Sequence, residues 1–151
     1  MKDDDAATAK AVELTRQWFT AGWLGRMAAG DLFDERFSTN GIRVGPAGPA
    51  ANIAARLAGF PDLATEVMTL IGAGDTVTIQ VRWTGTHTGS YGGVASTGRK
   101  VDVRVISIWR FEHDKVVENW TLQDQFLLLQ QVGYLPPELT AAQVRLGTSP
   151  T

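Results

Sequence analysis

The chain contains no cysteine. Disulfide bridges, thiolate metal sites and a cysteine nucleophile are thereby excluded. Histidine is almost as scarce. His87 and His113 are the only two, and imidazoles that far apart in the chain do not make a coordination shell. No metal and no cofactor are therefore expected. Gly85–Gly93 is rich in glycine, but no helix start follows it, so the dinucleotide-binding fingerprint is not met. No basic stripe runs along the chain, and the net charge is −2. The sequence-independent attraction to phosphate backbones is missing, which argues against a nucleic-acid partner. No run approaches the ~18 apolar residues needed to span a bilayer. The acidic start Met1-Lys2-Asp3-Asp4-Asp5 lacks the basic and apolar segments of a secretory signal. A cytoplasmic protein without membrane contact is expected.

What the chain does contain suits one domain over residues 1–151, with an ordered core near residues 6–135 and a surface tail at 136–151. Apolar residues make up 44%, enough to bury a core without staples. Residues 6–23 predict a helix, with Ala7, Ala11, Leu14, Trp18 and Ala21 on one face. A shorter helix is expected over 24–29, a turn and short strand within 31–44, and a small helix over 50–57 with Ile53 and Leu57 inward. The period then changes. Residues 66–71, 76–87, 100–111 and 115–123 read as strands. Val77, Ile79, Val81 and Trp83 alternate with polar residues, and Val101, Val103, Val105, Ser107, Trp109 and Phe111 share one face of the third strand. A mobile glycine-rich loop fills 89–98, and an amphipathic helix spans 125–131. Helices first and long antiparallel strands after them indicate an α+β fold. The expected form is a cone-shaped barrel of curved, mostly antiparallel sheet, with the N-terminal helices over its concave face and a pocket at its mouth.

Five short segments follow one another along the chain: Gly85-Thr86-His87-Thr88-Gly89, Thr97-Gly98-Arg99-Lys100, Trp109-Arg110-Phe111-Glu112, Val116-Val117-Glu118-Asn119-Trp120 and Leu128-Leu129-Gln130-Gln131-Val132-Gly133. This series resembles the SnoaL-like polyketide cyclase family, whose fold is that of nuclear transport factor 2-like proteins. The resemblance implies cofactor-free intramolecular aldol closure of polyketide esters, in which an acid/base pair removes a proton beside a carbonyl and steadies the enolate. Family cyclases place a histidine on the penultimate strand and an aspartate just after the tryptophan of the last strand. The matching positions here are Ser107 and Thr121, and the histidine that precedes that tryptophan is replaced by Asn119. A hydroxyl ionises far above neutrality, so neither replacement serves alone as general base.

Several residues are candidates for the site. A three-residue loop at Glu112-His113-Asp114 would set Ser107 opposite Asn119 and diagonal to Thr121, with Asp114 in the left-handed region. A two-residue loop would slip the faces by one residue and break the group. Together these polar side chains could orient a carbonyl, or they could simply satisfy one another. Asp124 is the nearest carboxylate and reads either as a displaced acid/base residue or as the N-cap of the helix that follows. His87 ends a strand beside the glycine-rich loop, as a proton shuttle at the pocket mouth or as a structural part of its motif. Arg82 could steady an enolate or carboxylate, although a surface or dimer-contact role fits it as well. Trp23, Tyr91 and Trp109 are expected to line the pocket and stack on a flat ligand.

Three functions compete. The first is a cofactor-independent cyclase or isomerase of a small polyketide-like or other secondary metabolite. The second is a non-catalytic binding or assembly module on the same fold. The third is an epoxide hydrolase-like enzyme, which requires a carboxylate within hydrogen-bond reach of Arg82. The outward residues Ile106, Ile108, Trp120 and Leu122 form a patch costly to leave wet, which predicts a homodimer through the outer sheet face.

Overall fold

The computed structural model describes residues 2–139. Helix α1 (Lys2–Thr20) is followed by a 3-10 turn (Gly22–Leu24) and the short α2 (Ala29–Leu32). Strands β1 (Phe33–Thr39) and β2 (Ile42–Arg43) precede α3 (Ala47–Gly59). The chain then forms β3 (Ala64–Ala73), β4 (Thr76–Thr86), β5 (Lys100–Glu112), β6 (Lys115–Gln123) and α4 (Gln125–Gln131). The six strands make one open sheet in the order β2-β1-β6-β5-β4-β3. Its pairs are antiparallel except β1 with β6, which run parallel. Among the described residues no helix is long and apolar enough to cross a membrane. The end of the expected surface tail, from residue 140 onward, lies outside the described residues.

The alternation read in the sequence becomes an inside and an outside. Along β5, Val101, Val103, Val105, Ser107, Trp109 and Phe111 are buried while Asp102, Arg104, Ile106 and Ile108 are exposed. Val77, Ile79, Val81 and Trp83 of β4 are fully buried. The helices cover this inner face. Helix α1 buries Ala11, Thr15, Trp18 and Phe19, an i, i+4, i+7, i+8 stripe. The buried Thr15 hydroxyl donates to the Ala11 carbonyl at 2.8 Å, so it carries no unmet polar group into the core. Ala7 is exposed, so the apolar face begins one turn later than expected.

The helix expected over 24–29 does not form. Gly25 adopts φ 72° and closes the 3-10 turn through its N–H to the Gly22 carbonyl, and Ala28 is extended. Helical structure resumes only at Ala29.

The β5–β6 hairpin also differs from expectation. Glu112 pairs with Lys115, so the loop is the two residues His113-Asp114, both left-handed at φ 47° and 62°. Positive φ at both central positions is the type I′ requirement. The expected loss of the polar group does not follow, because Val117 is an extra residue. Phe111 pairs with Val116 and Arg110 with Glu118. This bulge restores the original side-chain phase. Ser107 therefore stands opposite Thr121, and Trp109 opposite Asn119.

The motif segments hold one another. The His87 N–H donates to the Arg99 carbonyl, and the Thr97 and Gly98 N–H groups donate to the His87 carbonyl. The Thr88 and Gly89 N–H groups converge on the Gly59 carbonyl at the end of α3. A Cβ on Gly89 would lie 1.9 Å from the Ala58 carbonyl oxygen, so only glycine fits. Gly133, left-handed at φ 80°, ends α4 against the Arg99 guanidinium. The Gln131 side chain bonds both backbone groups of Asp102, extending the β5 ladder past the end of β6.

Candidate functional site

Between the helices and the inner sheet face lies a cavity of about 420 Å³. Small-molecule sites span roughly 300–1,000 Å³. One wall is aromatic. Phe33 lies centroid to centroid 4.8 Å from Trp18, 4.7 Å from Phe37 and 5.3 Å from Trp109. Phe19 bridges Trp23 and Trp109 at 5.1 and 5.4 Å. The other wall is polar, formed by Ser107, Asn119, Thr121 and Gln123 from β5 and β6. Exposed Asn52 and Gln125 stand at its edge.

Of the residues singled out from sequence, Ser107, Thr121, Asn119, Trp109, Tyr91 and Trp23 line this cavity together. Their bonding differs from a mutually satisfied cluster. The Ser107 hydroxyl accepts from Trp109 Nε1 at 2.7 Å and donates to the Trp120 carbonyl at 3.4 Å. Asn119 Oδ1 is buried without any partner. The backbone of Thr121 is held by the Asn40 amide, which accepts from the Thr121 N–H at 2.8 Å and donates to its carbonyl at 3.2 Å.

The structure sets the other three candidates elsewhere. His87 is fully buried outside the cavity, stacked on Phe60 with Nδ1 3.0 Å from Thr97 Oγ1, so it does not face the pocket mouth. Asp124 is exposed and caps α4, where Oδ1 accepts from the Leu127 N–H at 3.0 Å. Arg82 projects from the outer face of β4, the opposite side from the cavity. It is nevertheless flanked by two carboxylates contributed by neighbouring strands, Asp102 at 2.6 Å and Glu66 at 3.4 Å. Its guanidinium holds the Asp102 carboxyl below the usual carboxylate range. An arginine between two carboxylates is thus present, but on an exposed sheet surface with side chains 40–64% accessible.

Arg56 was not anticipated. It is the one charged residue in α3, three positions after the inward Ile53. That lone charge on an otherwise apolar stripe was the available signal. Its residue surface is 5% exposed. The guanidinium carbon sits 4.0 Å from the Trp23 ring centroid and 5.4 Å from that of Trp83. Nη2 donates to Gln123 Oε1 at 3.3 Å, while Nε and Nη1 are buried and unpartnered. Gln123 Oε1 also accepts from Trp83 Nε1 at 3.2 Å. Burial pushes the Arg56 guanidinium below its ordinary range, and the neighbouring Tyr91 phenol opposes that shift. Among the described residues no Asp, Glu or His lines the cavity.

The SnoaL-like polyketide cyclase family profile matches residues 9–132. Among solved structures, a candidate SnoaL-like polyketide cyclase from Jannaschia sp. CCS1 superposes with a TM-score of 0.74 at 24% identity, covering 85% of this chain and 95% of that one. AclR from Streptomyces galilaeus, a candidate hydroxylase, gives 0.70 at 25% identity over 95% and 90%. IdmH from Streptomyces antibioticus, a candidate polyketide cyclase, gives 0.67 at 22% identity over 83% and 98%. No curated protein matches significantly. These structures share the nuclear transport factor 2-like fold described above. The ordered segments, the sheet and the profile match agree: the chain belongs to the SnoaL-like polyketide cyclase family.

Proposed function

We propose that the protein is a cofactor-independent cyclase or isomerase of a small polyketide-like or other secondary metabolite. The observation that carries this reading is an aromatic-walled cavity with Ser107, Asn119 and Thr121 on one wall. In such a site the usual carboxylate and imidazole are replaced by hydroxyl and amide groups. The Thr121 hydroxyl and the Asn119 amide N–H hold a carbonyl and stabilise the oxygen on which negative charge develops, while Ser107 supports the Trp109 indole beside them. Solvent water accepts the proton from the carbon beside that carbonyl. The resulting enolate carbon attacks a second carbonyl, one C–C bond forms, and water returns a proton to the new alkoxide. The net change is an isomerisation, and the catalytic gain comes from holding the chain folded with its reacting carbons close. This suits substrates whose carbon acid is already acidic, such as 1,3-dicarbonyls.

The test incubates purified protein with polyketide esters bearing 1,3-dicarbonyl units and follows ring closure by mass-resolved chromatography. Closure above the buffer rate is expected, falling about 100-fold in kcat for Asn119→Ala, as for other oxyanion-stabilising groups. Arg82→Ala, on the outer face, is the control that leaves the rate unchanged. Closure at the buffer rate with every substrate overturns the reading.

A second reading, a binding module on the same fold, is favoured by a cavity lining that holds no Asp, Glu or His among the described residues. It requires ligand binding without turnover. In either reading we propose a homodimer through the outer sheet face. Ile106 pairs with Leu122 and Ile108 with Trp120, and these four side chains are 47–78% exposed. An apolar patch of this kind is normally covered.

A further inference from the structure

We infer that Arg56 anchors an anionic oxygen of a planar ligand, so that the cavity selects organic acids and acidic enols over their neutral counterparts. The inference rests on the cavity's being a ligand site and adds the class of ligand.

A guanidinium stays protonated in proteins. Burying one without a counter-charge is costly. Arg56 is buried, yet the one side chain within hydrogen-bond geometry among the described residues is the neutral Gln123 amide, at a long 3.3 Å, with the neutral Tyr91 phenol close by. Among the described residues Nε and Nη1 have no partner, and no acidic side chain lines the cavity. The guanidinium carbon lies over two indole rings, 4.0 Å from the Trp23 centroid and 5.4 Å from that of Trp83. That contact offsets part of the buried charge but gives Nε and Nη1 no hydrogen-bond acceptor. Nη2 has a second N–H besides the one given to Gln123, and with Nε or Nη1 it makes a fork that matches two oxygens of a delocalised anion. A carboxylate and the enolate of a 1,3-dicarbonyl share this chemistry.

The remaining wall fits the rest of such a ligand. The rings of Trp18, Phe33 and Trp109 favour a flat conjugated body. The unpartnered Asn119 Oδ1 accepts a hydrogen bond from a ligand hydroxyl or enol. In the ring-closing reaction, Arg56 would then favour the enolate over the neutral ketone, which is the differential binding that lowers a barrier.

Calorimetric titration of the full chain near pH 7 with two matched probe pairs tests this. One pair is 2-naphthoate with 2-naphthamide. The other is 2-hydroxy-1,4-naphthoquinone, an acidic enol, with its methyl ether. Each anion is expected to bind at least about tenfold more tightly than its neutral partner. A preference in only one pair identifies which anion the site takes. Arg56→Gln should erase the preference while neutral probes bind as before, and Arg56→Lys should keep part of it. If Arg56→Gln loses its melting transition, the wild-type ratio and the lysine variant decide. Equal binding of anion and neutral partner by the wild type overturns the anchor and spares the ligand cavity. So does a preference that survives Arg56→Gln. Failure of all four probes to bind overturns both.

Discussion

Ser107 on β5 stands directly opposite Thr121 on β6, and both side chains face the cavity. The hairpin that joins these strands turns on two residues, which alone would put Trp120 across from Ser107. The extra residue Val117 changes that pairing by one. Deleting Val117 should leave Phe111 opposite Val116 and Arg110 opposite Glu118 without a bulge, so Asn119 and Thr121 keep facing the cavity. The expected outcome is a native near-ultraviolet circular dichroism spectrum and cooperative melting at a temperature lowered by loss of the buried Val117 side chain. A deletion variant without cooperative melting would show that the bulge is needed for more than the phase of the strand.

Ser107 is also the acceptor for the buried indole N–H of Trp109. Ser107→Ala leaves that donor without a partner. A loss of about 1–3 kcal/mol in urea unfolding is expected from a buried unsatisfied group. If kcat falls while stability holds, the hydroxyl acts on substrate instead of supporting the indole.

Asp62 follows α3 and accepts from both the N–H and the hydroxyl of Thr86, each at 2.7 Å. Those bonds hold the Asp62 carboxyl below its ordinary pKa. A depressed folded-state pKa gives stability that is complete above the unfolded value near pH 4 and fades as pH falls through the folded value. The carboxylate is exposed, so its contribution is no more than about 1 kcal/mol. Wild type should exceed Asp62→Asn by that margin at neutral pH, and the two melting curves should converge in acid. A margin that persists at low pH would assign it to something other than the carboxylate charge.

Leu122 is 78% exposed on the outer face beside Ile106. Sedimentation at micromolar concentration should give a dimer for the wild type and a monomer for Leu122→Glu. The variant should fold normally, because the substituted side chain already lies outside the core. A monomeric wild type would end the dimer proposal.

The strand faces, the helix that Asp124 caps and the ordered family segments were legible in the sequence because each depends on local spacing. A period of two decides which side chains of β5 share a face whatever the strand pairs with. Asp124 answers to a donor three residues away. His87 and Gly89 were legible as a motif, but their role in tying α3 to the 97–99 segment was not, since those partners are distant in the chain.

The site itself depended on tertiary structure. Arg82 meets its carboxylates only through strand neighbours, and the same pairing turns it away from the cavity. Arg56 reads as an ordinary helix residue until α3 folds over Trp23 and Trp83 and removes it from water. Local pattern, then, determined the elements, their faces and the family. Which side chains share one cavity was decided by long-range pairing, because burial and hydrogen-bond deficit are properties of the packed chain.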